Sequence, residues 1–347
     1  MRGELLPGDV EIDDGRIVGV GVSPAGRRGI AVPGFVDLQV NGFAGVDFLT
    51  ASADDYRRAG EALLSVGVTA YQPTFITAPE EMLLEALRAM PASNGGPQII
   101  GAHLDGPFLS PQRLGTHPPE HRRDPDVGLL DRVLDAGHVT TLTLAPELDG
   151  ADAVVRRARE RGVVVGAGHT NATADEAHAA FDGGITTVSH IFNAMRPFTQ
   201  RDPGVSGAAL ARPDVFVQMI VDGWHLADET VRLVWAVAAG RVALVSDATA
   251  AAGAGPGTYR LGAIEICVTD GVPLRGDGVI AGTALTMLDA VRNLCALGVP
   301  FEGAVGAATT VPARLLGRRD LGVLEVGRRA DVVVLDDRLE IISAASS

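Results

Sequence analysis

The chain has 347 residues, of which 46% are hydrophobic and 21% charged, a composition that can bury a large core and excludes a disordered chain. The net charge is −14 and no block of basic residues occurs, which argues against nucleic acid or an anionic membrane as a partner. Every basic residue is an arginine, so Schiff-base chemistry on a lysine is excluded. The two cysteines form no CxxC pattern, and neither a signal peptide nor an apolar run of about 20 residues is present, so we expect a cytoplasmic protein.

The two ends of the chain share a pattern of short strand-like segments. These segments are Gly8–Ile12, Arg16–Val22, Gly322–Gly327 and Ala330–Leu335. Because such short strands need partners, we expect residues 1–32 and 319–347 to pair as one small β-sandwich domain.

Residues 33–318 alternate between apolar, β-branched runs and helix-like segments. The eight runs are Phe35–Val40, Val68–Thr74, Gln98–Leu104, Val139–Ala145, Val163–Gly168, Ile185–Ser189, Val215–Val221 and Val242–Ser246. Apolar strands alternating with helices indicate a parallel sheet covered by helices, and eight units favour a closed (β/α)₈ TIM-type barrel over an open sheet. A segment at 258–283, rich in Gly and Val, predicts a hairpin after the eighth strand.

Polar residues follow several of these predicted strands. Catalytic groups of a (β/α)₈ barrel lie at the carboxyl ends of its strands. His169 and His190 each come directly after an apolar run, and Asp105 follows another. One such histidine alone is more often a core residue, but two imidazoles with a carboxylate leave an open coordination position for water. The three residues therefore predict a catalytic site for Zn²⁺ or Fe²⁺.

Three further residues invite a chemical interpretation. Asp247 ends the eighth run and could cap the next segment, but opposite a metal we favour a general base that accepts a proton from water. His117 lies on the loop after the third run, where polarising a substrate carbonyl and having no role are equally supported. His103 faces away from its strand neighbours, so we expect it to pack or to support the site.

Several motifs resemble a known family. The runs PGFVDLQVNG (Pro33–Gly42) and GVLEVGRRADVVVLD (Gly322–Asp336) resemble the first strand and the C-terminal return of the amidohydrolase superfamily. Between them, HLDGPFLS, GTHPPE, AGHTNA, HIFNAM, DGWH, SDAT and AGTALTM resemble the N-acetylglucosamine-6-phosphate deacetylases in order and spacing. The resemblance covers nearly the whole chain, and HxxNAM and DGxH are specific to that family.

The resemblance implies a reaction and its catalytic residues. It implies hydrolysis of the acetamide of N-acetylglucosamine 6-phosphate with one divalent metal ion per subunit, Zn²⁺ before Fe²⁺. The metal ligands would be Asp105, His169 and His190. Asp247 would be the acid/base, and His117 would contact the N-acetyl carbonyl or the sugar.

The resemblance also implies a substrate-binding set and a homodimer. The set comprises Thr116, Asn193, Ala194, Arg201, Asp222, His225, Ile280, Ala281 and Gly282. Backbone amides at Asn193 and Ala194, together with Arg201, would hold the phosphate, as a guanidinium and amides can do in so acidic a chain. Residues 280–282 would line the acetyl pocket. His225 would reach the active site of a neighbouring subunit.

Two departures from the family pattern bear on the metal. Asp105 stands where the family has Glu, so its carboxylate is one methylene shorter and the ion is expected to shift or bind more weakly. Gln39 and Asn41 stand where many amidohydrolases have the two histidines of an HxH motif. Amides are poor zinc ligands beside imidazoles, so we predict one metal ion rather than two.

Three alternatives remain open at the sequence level. The first is a deacetylase that acts on the galactosamine epimer, since the motifs do not show which sugar hydroxyls are contacted. The second is an amidohydrolase that acts on a cyclic amide or an amine, against which the HxxNAM segment and Arg201 argue. The third is a barrel without catalysis that serves in binding or assembly, which the presence of His169, His190 and Asp247 disfavours.

Overall fold

The computed structural model describes residues 5–26 and 28–346 and contains short strands throughout. The strands are β1 (Asp9–Asp13), β2 (Arg16–Val22), β3 (Ile30–Pro33), β4 (Phe35–Val40), β5 (Gly42–Phe43), β6 (Val46–Asp47), β7 (Val68–Ile76), β8 (Gln98–Ile99), β9 (Ala102–Asp105), β10 (Val139–Leu144), β11 (Val164–Ala167), β12 (Thr187–Val188), β13 (Phe216–Met219), β14 (Val242–Leu244), β15 (Thr258–Leu261), β16 (Ile264–Thr269), β17 (Val272–Arg275), β18 (Val332–Leu335) and β19 (Ile341–Ala345).

The α-helices lie between the strands and after the last barrel strand. They are α1 (Ala53–Ser65), α2 (Glu80–Ala89), α3 (Val127–Ala136), α4 (Ala151–Glu160), α5 (Ala174–Asp182), α6 (Gly204–Ala211), α7 (Asp228–Ala238), α8 (Met287–Ala296), α9 (Phe301–Ala308) and α10 (Thr310–Leu315). Three of them begin with a capping box, in which Ser52, Thr173 or Thr286 exchanges hydrogen bonds with an acid three residues later. These local signals fix where the helices start.

Eight strands form one parallel sheet that is nearly closed. Its order is β4, β7, β9, β10, β11, β12, β13 and β14, with β8 also paired to β7. Every residue of β4 and β7 is buried, because helices cover the outside and side chains fill the inside. The predicted (β/α)₈ TIM-type barrel is confirmed, and seven of the eight predicted runs contain one barrel strand each, while Gln98–Leu104 is divided into β8 and β9.

The two chain ends pair beside the barrel, as predicted. Strands β3, β18 and β19 form one antiparallel sheet, and β1 pairs with β2 in a hairpin. The hairpin joins the C-terminal end through hydrogen bonds between Ile17 and residues 327–328. The strand expected at Gly322–Gly327 is wrong: that segment is turn and coil, because its glycines adopt left-handed backbone at Gly322 and Gly327.

The predicted hairpin at 258–283 is a three-stranded antiparallel sheet of β15, β16 and β17. It packs on the barrel through a small apolar cluster that includes Ile76, Leu261 and Ala281. A guanidinium nitrogen of Arg275 donates to the backbone carbonyl of Thr116 at 3.3 Å. This sheet therefore contacts the loop that carries His117.

The first and last barrel strands meet through few backbone contacts. Val40 and Ala248 form an isolated parallel bridge. The buried carboxylate of Asp37 completes the closure by accepting from the backbone N–H of Ser246 at 3.2 Å and of Gln39 at 3.3 Å. Asp37 thus ties together the two strands that lead into Gln39 and Asp247.

Among the described residues, no helix has the length and apolar character that a membrane crossing requires.

The buried carboxyl of Asp37 predicts a pH dependence of folding. Burial raises the pKa of Asp37 from 3.8 to about 7. Between those values the folded chain binds more protons than the unfolded chain, so this group lowers the free energy of unfolding as pH rises. D37N keeps the acceptor and removes the titration, so the variant should lose this slope and gain stability near neutral pH, on the order of a few kcal/mol.

Urea unfolding of the wild type, D37N and the exposed-site control D54N at several pH values tests this expectation. The same slope between pH 4 and 7 in D37N and the wild type would show that Asp37 does not carry it.

Candidate active site

Three side chains from different strand ends and one from a loop, His117, meet inside the mouth of the barrel. The Nε2 atoms of His169 and His190 lie 3.7 and 3.8 Å from Oδ2 of Asp105, and Nε2 of His117 also lies 3.7 Å from it. All four residues are buried. Asp105, His169 and His190 offer ligand atoms that lie within 4.8 Å of one another. The structure therefore brings together the three residues predicted to bind a metal.

Left-handed backbone marks the positions where these strands turn into loops. His169, His190 and Asp247 have φ angles of 48°, 26° and 49°. Non-glycine residues in this region cost roughly 1–3 kcal/mol each and concentrate at functional sites. The sharp change of direction aims each side chain across the barrel mouth instead of along the strand.

A hydrogen bond fixes the tautomer of His169. Its Nδ1 lies 3.0 Å from the backbone carbonyl of Arg113, which can only accept, so Nδ1 carries the proton. Nε2 is then left with a lone pair directed toward Asp105. This is the form in which a histidine binds a metal ion.

A hydrogen bond of the opposite direction fixes the tautomer of His117. Its Nδ1 accepts from the backbone N–H of Thr77 at 3.3 Å and lies 2.9 Å from the hydroxyl of the same residue. The proton must therefore reside on Nε2, which points into the site. Burial lowers the pKa of His117 to about 4, which keeps the ring neutral. His117 thus presents an N–H donor to the site instead of a lone pair, although it is as close to Asp105 as His169 is.

The amides of Gln39 and Asn41 join the two carboxylates of the site. Nε2 of Gln39 donates to Asp105 at 3.2 Å and to Asp247 at 3.1 Å, and Nδ2 of Asn41 donates to Asp247 at 2.7 Å. Imidazoles at these positions would be free to bind a metal. The amides instead use their donors to hold the acids in place.

Burial and neighbouring charges act differently on the two acids. Burial raises the pKa of Asp105, but the imidazoles of His169, His117 and His190 outweigh it and hold that pKa well below its usual range. Burial raises the pKa of Asp247, and its imidazole neighbours only partly oppose this. Asp105 is therefore the permanent anion, while Asp247 is the acid that more readily takes up a proton.

A buried oxygen without a partner and the spacing of the ligand atoms fit a bound cation. Among the described residues, Oδ1 of Asp105 is buried and has no hydrogen-bond partner, so it is available to an ion. Two ligands that are each about 2.0–2.2 Å from a zinc ion lie about 3–4 Å apart, and the observed Nε2–Oδ2 separations fall in this range. The donor set of two imidazoles and a carboxylate suits Zn²⁺ or Fe²⁺.

The residues predicted to contact the acetyl group and sugar lie around this cluster. Oγ1 of Thr116 is buried without a partner, so it is available to a ligand. Ala281 is packed against Ile76, and Gly282 lies so close to Asp247 that a Cβ atom would stand 2.7 Å from the carbonyl oxygen of Asp247. Ile280 is half-buried beside them.

The predicted phosphate residues are brought together only in part. The backbone N–H of Asn193 donates to His190, so it is already used within the loop. Ala194 has left-handed backbone, and its N–H finds no acceptor among the described residues. Arg201 is exposed and makes no hydrogen bond or ion pair with the described residues.

Asp222 and His225 form a pair at the end of β13. The carboxylate of Asp222 accepts from Nδ1 of His225 at 2.7 Å and from its backbone N–H at 2.9 Å. The side chain of His225 is only 8% exposed and lies close enough to Asp247 of its own chain to lower the pKa of that acid. This arrangement places His225 beside the site of its own chain, and its contact with a neighbouring subunit stays a prediction.

His103 lies in the polar layer beneath the metal ligands. Its Nε2 is 2.8 Å from Oγ1 of Thr143, which is 2.7 Å from Oγ of Ser189, and its Nδ1 is 3.3 Å from Oγ1 of Thr74. Burial lowers the pKa of His103 to about 4. This packing matches the supporting role expected for it.

Sequence reasoning missed the residues that support the site. Thr77 and Arg113 set the tautomers of two histidines, and Glu147 accepts from the hydroxyl of Thr170 and the backbone N–H of Asn171, both just after His169. Of these residues, only Glu147 could have been identified from the sequence, because it follows the fourth run and carboxylates at strand ends of such barrels are often functional. The contacts of the others depend on loop conformation.

Comparisons with known proteins agree with this geometry. The model of the amidohydrolase family matches residues 30–346. N-acetylglucosamine-6-phosphate deacetylase of Bos taurus is 38% identical, with 90% of this chain and 81% of that protein covered. N-acetylgalactosamine-6-phosphate deacetylase of Escherichia coli O157:H7 is 36% identical, with 89% and 84% covered.

A solved structure is similar over almost the whole chain. It is a mutant N-acetylglucosamine-6-phosphate deacetylase of Mycobacterium smegmatis in complex with N-acetylglucosamine 6-phosphate. It has a TM-score of 0.92 and 39% identity, and 97% of this chain and 92% of that chain are covered. The chain belongs to the amidohydrolase family and, within it, to the group of N-acetylglucosamine-6-phosphate deacetylases, which confirms the resemblance stated from the motifs.

The cluster predicts the metal content of the protein. H169A and H190A each remove one of two nitrogen ligands, so both should be purified with strongly reduced Zn²⁺ or Fe²⁺, whereas the wild type should hold one ion per chain. H138A, which removes an exposed histidine, should keep the wild-type content. Elemental analysis by plasma mass spectrometry measures this. Full metal occupancy in H169A and H190A, or two ions in the wild type, would contradict the assignment.

Proposed function

We propose that this protein hydrolyses the acetamide of N-acetylglucosamine 6-phosphate to glucosamine 6-phosphate and acetate. The observation that carries the proposal is the arrangement of Asp247, which faces the Asp105–His169–His190 cluster and is joined to Asp105 through the amide of Gln39. An acid/base beside a metal site is the arrangement that amide hydrolysis by water needs. Relatives that cover most of the chain are deacetylases of such sugar phosphates.

Asp105, His169 and His190 would hold one divalent ion, Zn²⁺ before Fe²⁺. The bound ion would activate water and polarise the acetyl carbonyl. Positions 39 and 41 carry the amides of Gln39 and Asn41 instead of imidazoles, and both amides already donate to carboxylates. This supports the binding of one ion instead of two. Asp105, shorter than the Glu of the family pattern, is kept ionised by the surrounding imidazoles.

The residues of the site can perform the proton transfers. Asp247 would accept a proton from the attacking water, whose oxygen forms the new bond to the acetyl carbon. His117 would donate its Nε2 proton in a hydrogen bond to the developing oxyanion. Asp247 would then deliver its proton to the nitrogen as the carbon–nitrogen bond breaks, which releases acetate and the free amine. Asn41 and Gln39 hold Asp247 in position throughout.

The phosphate would bind at the rim, away from the bond that breaks. The N–H of Ala194 and the guanidinium of Arg201, which have no partner among residues 5–26 and 28–346, support this. Thr116, His225 and residues 280–282 would contact the sugar and the acetyl group. Distant phosphate contacts would serve to orient the amide toward Asp247.

N-acetylgalactosamine 6-phosphate is a second candidate substrate, because a relative at 36% identity is named for it. Steady-state kinetics on the two 6-phosphates under the same conditions decide between them. A higher kcat/KM for the galactosamine epimer would replace the primary assignment.

We also infer a cytoplasmic homodimer. Phe198 and Trp224 are 52% and 57% exposed beside the loops of the site, and such exposed aromatic side chains are typical of contact surfaces. We expect the subunits to meet through this apolar rim, which would bring His225, the residue after Trp224, close to the neighbouring active site. Sedimentation of the wild type and of W224E tests this, with the variant expected to be monomeric.

Replacement of the acid/base tests the proposed chemistry. D247N should keep the metal ion but lose at least ~100-fold in turnover, the scale of general acid–base catalysis. Acetate release from N-acetylglucosamine 6-phosphate measures turnover, and metal content is measured on the same preparation. D149N, which changes an exposed acid, should retain wild-type rates.

A wild-type rate in D247N would remove Asp247 from the mechanism. No acetate release by the metal-loaded wild type from either 6-phosphate would refute the deacetylase assignment and favour a cyclic amide substrate or a non-catalytic barrel.

A further inference from the structure

We propose that Arg113 is a second cationic residue for the phosphate end of the substrate and sets the preference for a phosphorylated over an unphosphorylated sugar. The proposal rests on the proposed function. It arises from Asn171, which follows His169 and Thr170 and contacts three other elements of the rim.

Asn171 holds the guanidinium of Arg113 in a fixed orientation. Nε of Arg113 donates to Oδ1 of Asn171 at 2.9 Å. The backbone N–H of Asn171 donates to Glu147 at 2.6 Å, and its carbonyl accepts from Arg196 at 3.4 Å. The backbone hydrogen bonds of Asn171 therefore hold this residue in place, and its side chain in turn holds the guanidinium of Arg113. The two terminal nitrogens of Arg113 donate to no acceptor among the described residues.

This guanidinium lies beside the loop proposed to bind phosphate. The backbone N–H of Thr170 donates to the carbonyl of Ala194 at 3.2 Å, and the carbonyl of Thr170 accepts from the N–H of Arg196 at 2.9 Å. Asn171, the next residue, therefore lies beside that loop. Gly115, two residues beyond Arg113, lies against the same loop, since a Cβ atom there would stand 3.6 Å from Cβ of Ala194. The loop that carries Arg113 and the loop that carries Ala194 therefore lie side by side at the rim, with the Arg113 guanidinium held on Asn171 next to them.

The charge of Arg113 is not compensated by any acid in the part of the chain that the structure describes. Neighbouring Arg196 has an acid partner, because its Nε donates to Asp202 at 2.6 Å. Arg113 is half-buried and has no carboxylate partner among the described residues, in a chain of net charge −14. A partly desolvated guanidinium with free terminal nitrogens is suited to bidentate binding of a phosphate.

Arg113 also connects the phosphate end to the metal site. Its backbone carbonyl accepts the Nδ1 proton of His169 at 3.0 Å. Side-chain replacement leaves that carbonyl in the chain, so the two contributions can be separated. Loss of phosphate recognition should lower affinity for phosphorylated ligands, whereas loss of the His169 contact should lower metal content.

The test compares R113Q and R113K with R123Q. Arg123 lies on the same loop and is exposed, and its guanidinium donates only to the carbonyls of Glu120 and Arg122, so R123Q is a matched control. Metal-loaded enzymes are assayed with N-acetylglucosamine 6-phosphate and N-acetylglucosamine, and calorimetry measures binding of glucosamine 6-phosphate and glucosamine. Metal content is determined for every variant.

R113Q is expected to lower the ratio of kcat/KM for the phosphorylated and unphosphorylated sugars at least ~10-fold, mainly through KM, as for a lost charged hydrogen bond. Binding of glucosamine 6-phosphate should weaken by a similar factor, R113K should recover part of the loss, and R123Q should match the wild type. An unchanged ratio, an equal loss on both sugars, or a loss of metal in R113Q would overturn the proposal. If the wild type deacetylates neither sugar, the proposed function fails, and the calorimetric comparison still tests Arg113.

Discussion

The site depends on two hydrogen bonds of opposite direction to two adjacent histidines. The carbonyl of Arg113 requires a proton on Nδ1 of His169, whereas the N–H of Thr77 requires a lone pair on Nδ1 of His117. Both rings present Nε2 at 3.7 Å from Asp105, so distance does not distinguish them. In the proposed mechanism, the backbone would thereby make one ring a metal ligand and the other a hydrogen-bond donor to substrate. Asp105 would then bind the metal ion, while Asp247, held by the amides of Gln39 and Asn41, would transfer the proton.

The barrel accounts for why these groups meet. The side chains of Asp105, His169, His190 and Asp247 stand where buried strands end, and left-handed backbone at the last three turns them across the mouth. Asp37 joins the first and last strands below Gln39 and Asp247, where the backbone ladder alone is sparse. Closure of the barrel and the spacing of the two catalytic carboxylates are therefore linked through the same pair of strands.

The barrel and most of its site residues could be predicted from the sequence because they depend on local patterns. Apolar runs indicated the eight strands, and polar residues directly after them, such as Asp105, His190 and Asp247, indicated the site. The segment at Gly322–Gly327 was mispredicted because its apolar residues resemble a strand while its glycines favour turns. No local sequence pattern predicts the direction of His225, the occupied N–H of Asn193 or the hydrogen bond between Arg113 and Asn171. These features depend on loops that pack together only in the folded chain.

The central claim is that one ion is bound by Asp105, His169 and His190, with His117 outside the coordination sphere. A crystal structure of the zinc-loaded protein, with anomalous data collected at the zinc edge, tests it most directly. The account predicts one anomalous peak about 2.0–2.2 Å from Nε2 of His169, Nε2 of His190 and a carboxylate oxygen of Asp105. A peak bonded to His117, a second strong peak at Gln39 and Asn41, or no ion among these side chains would contradict it.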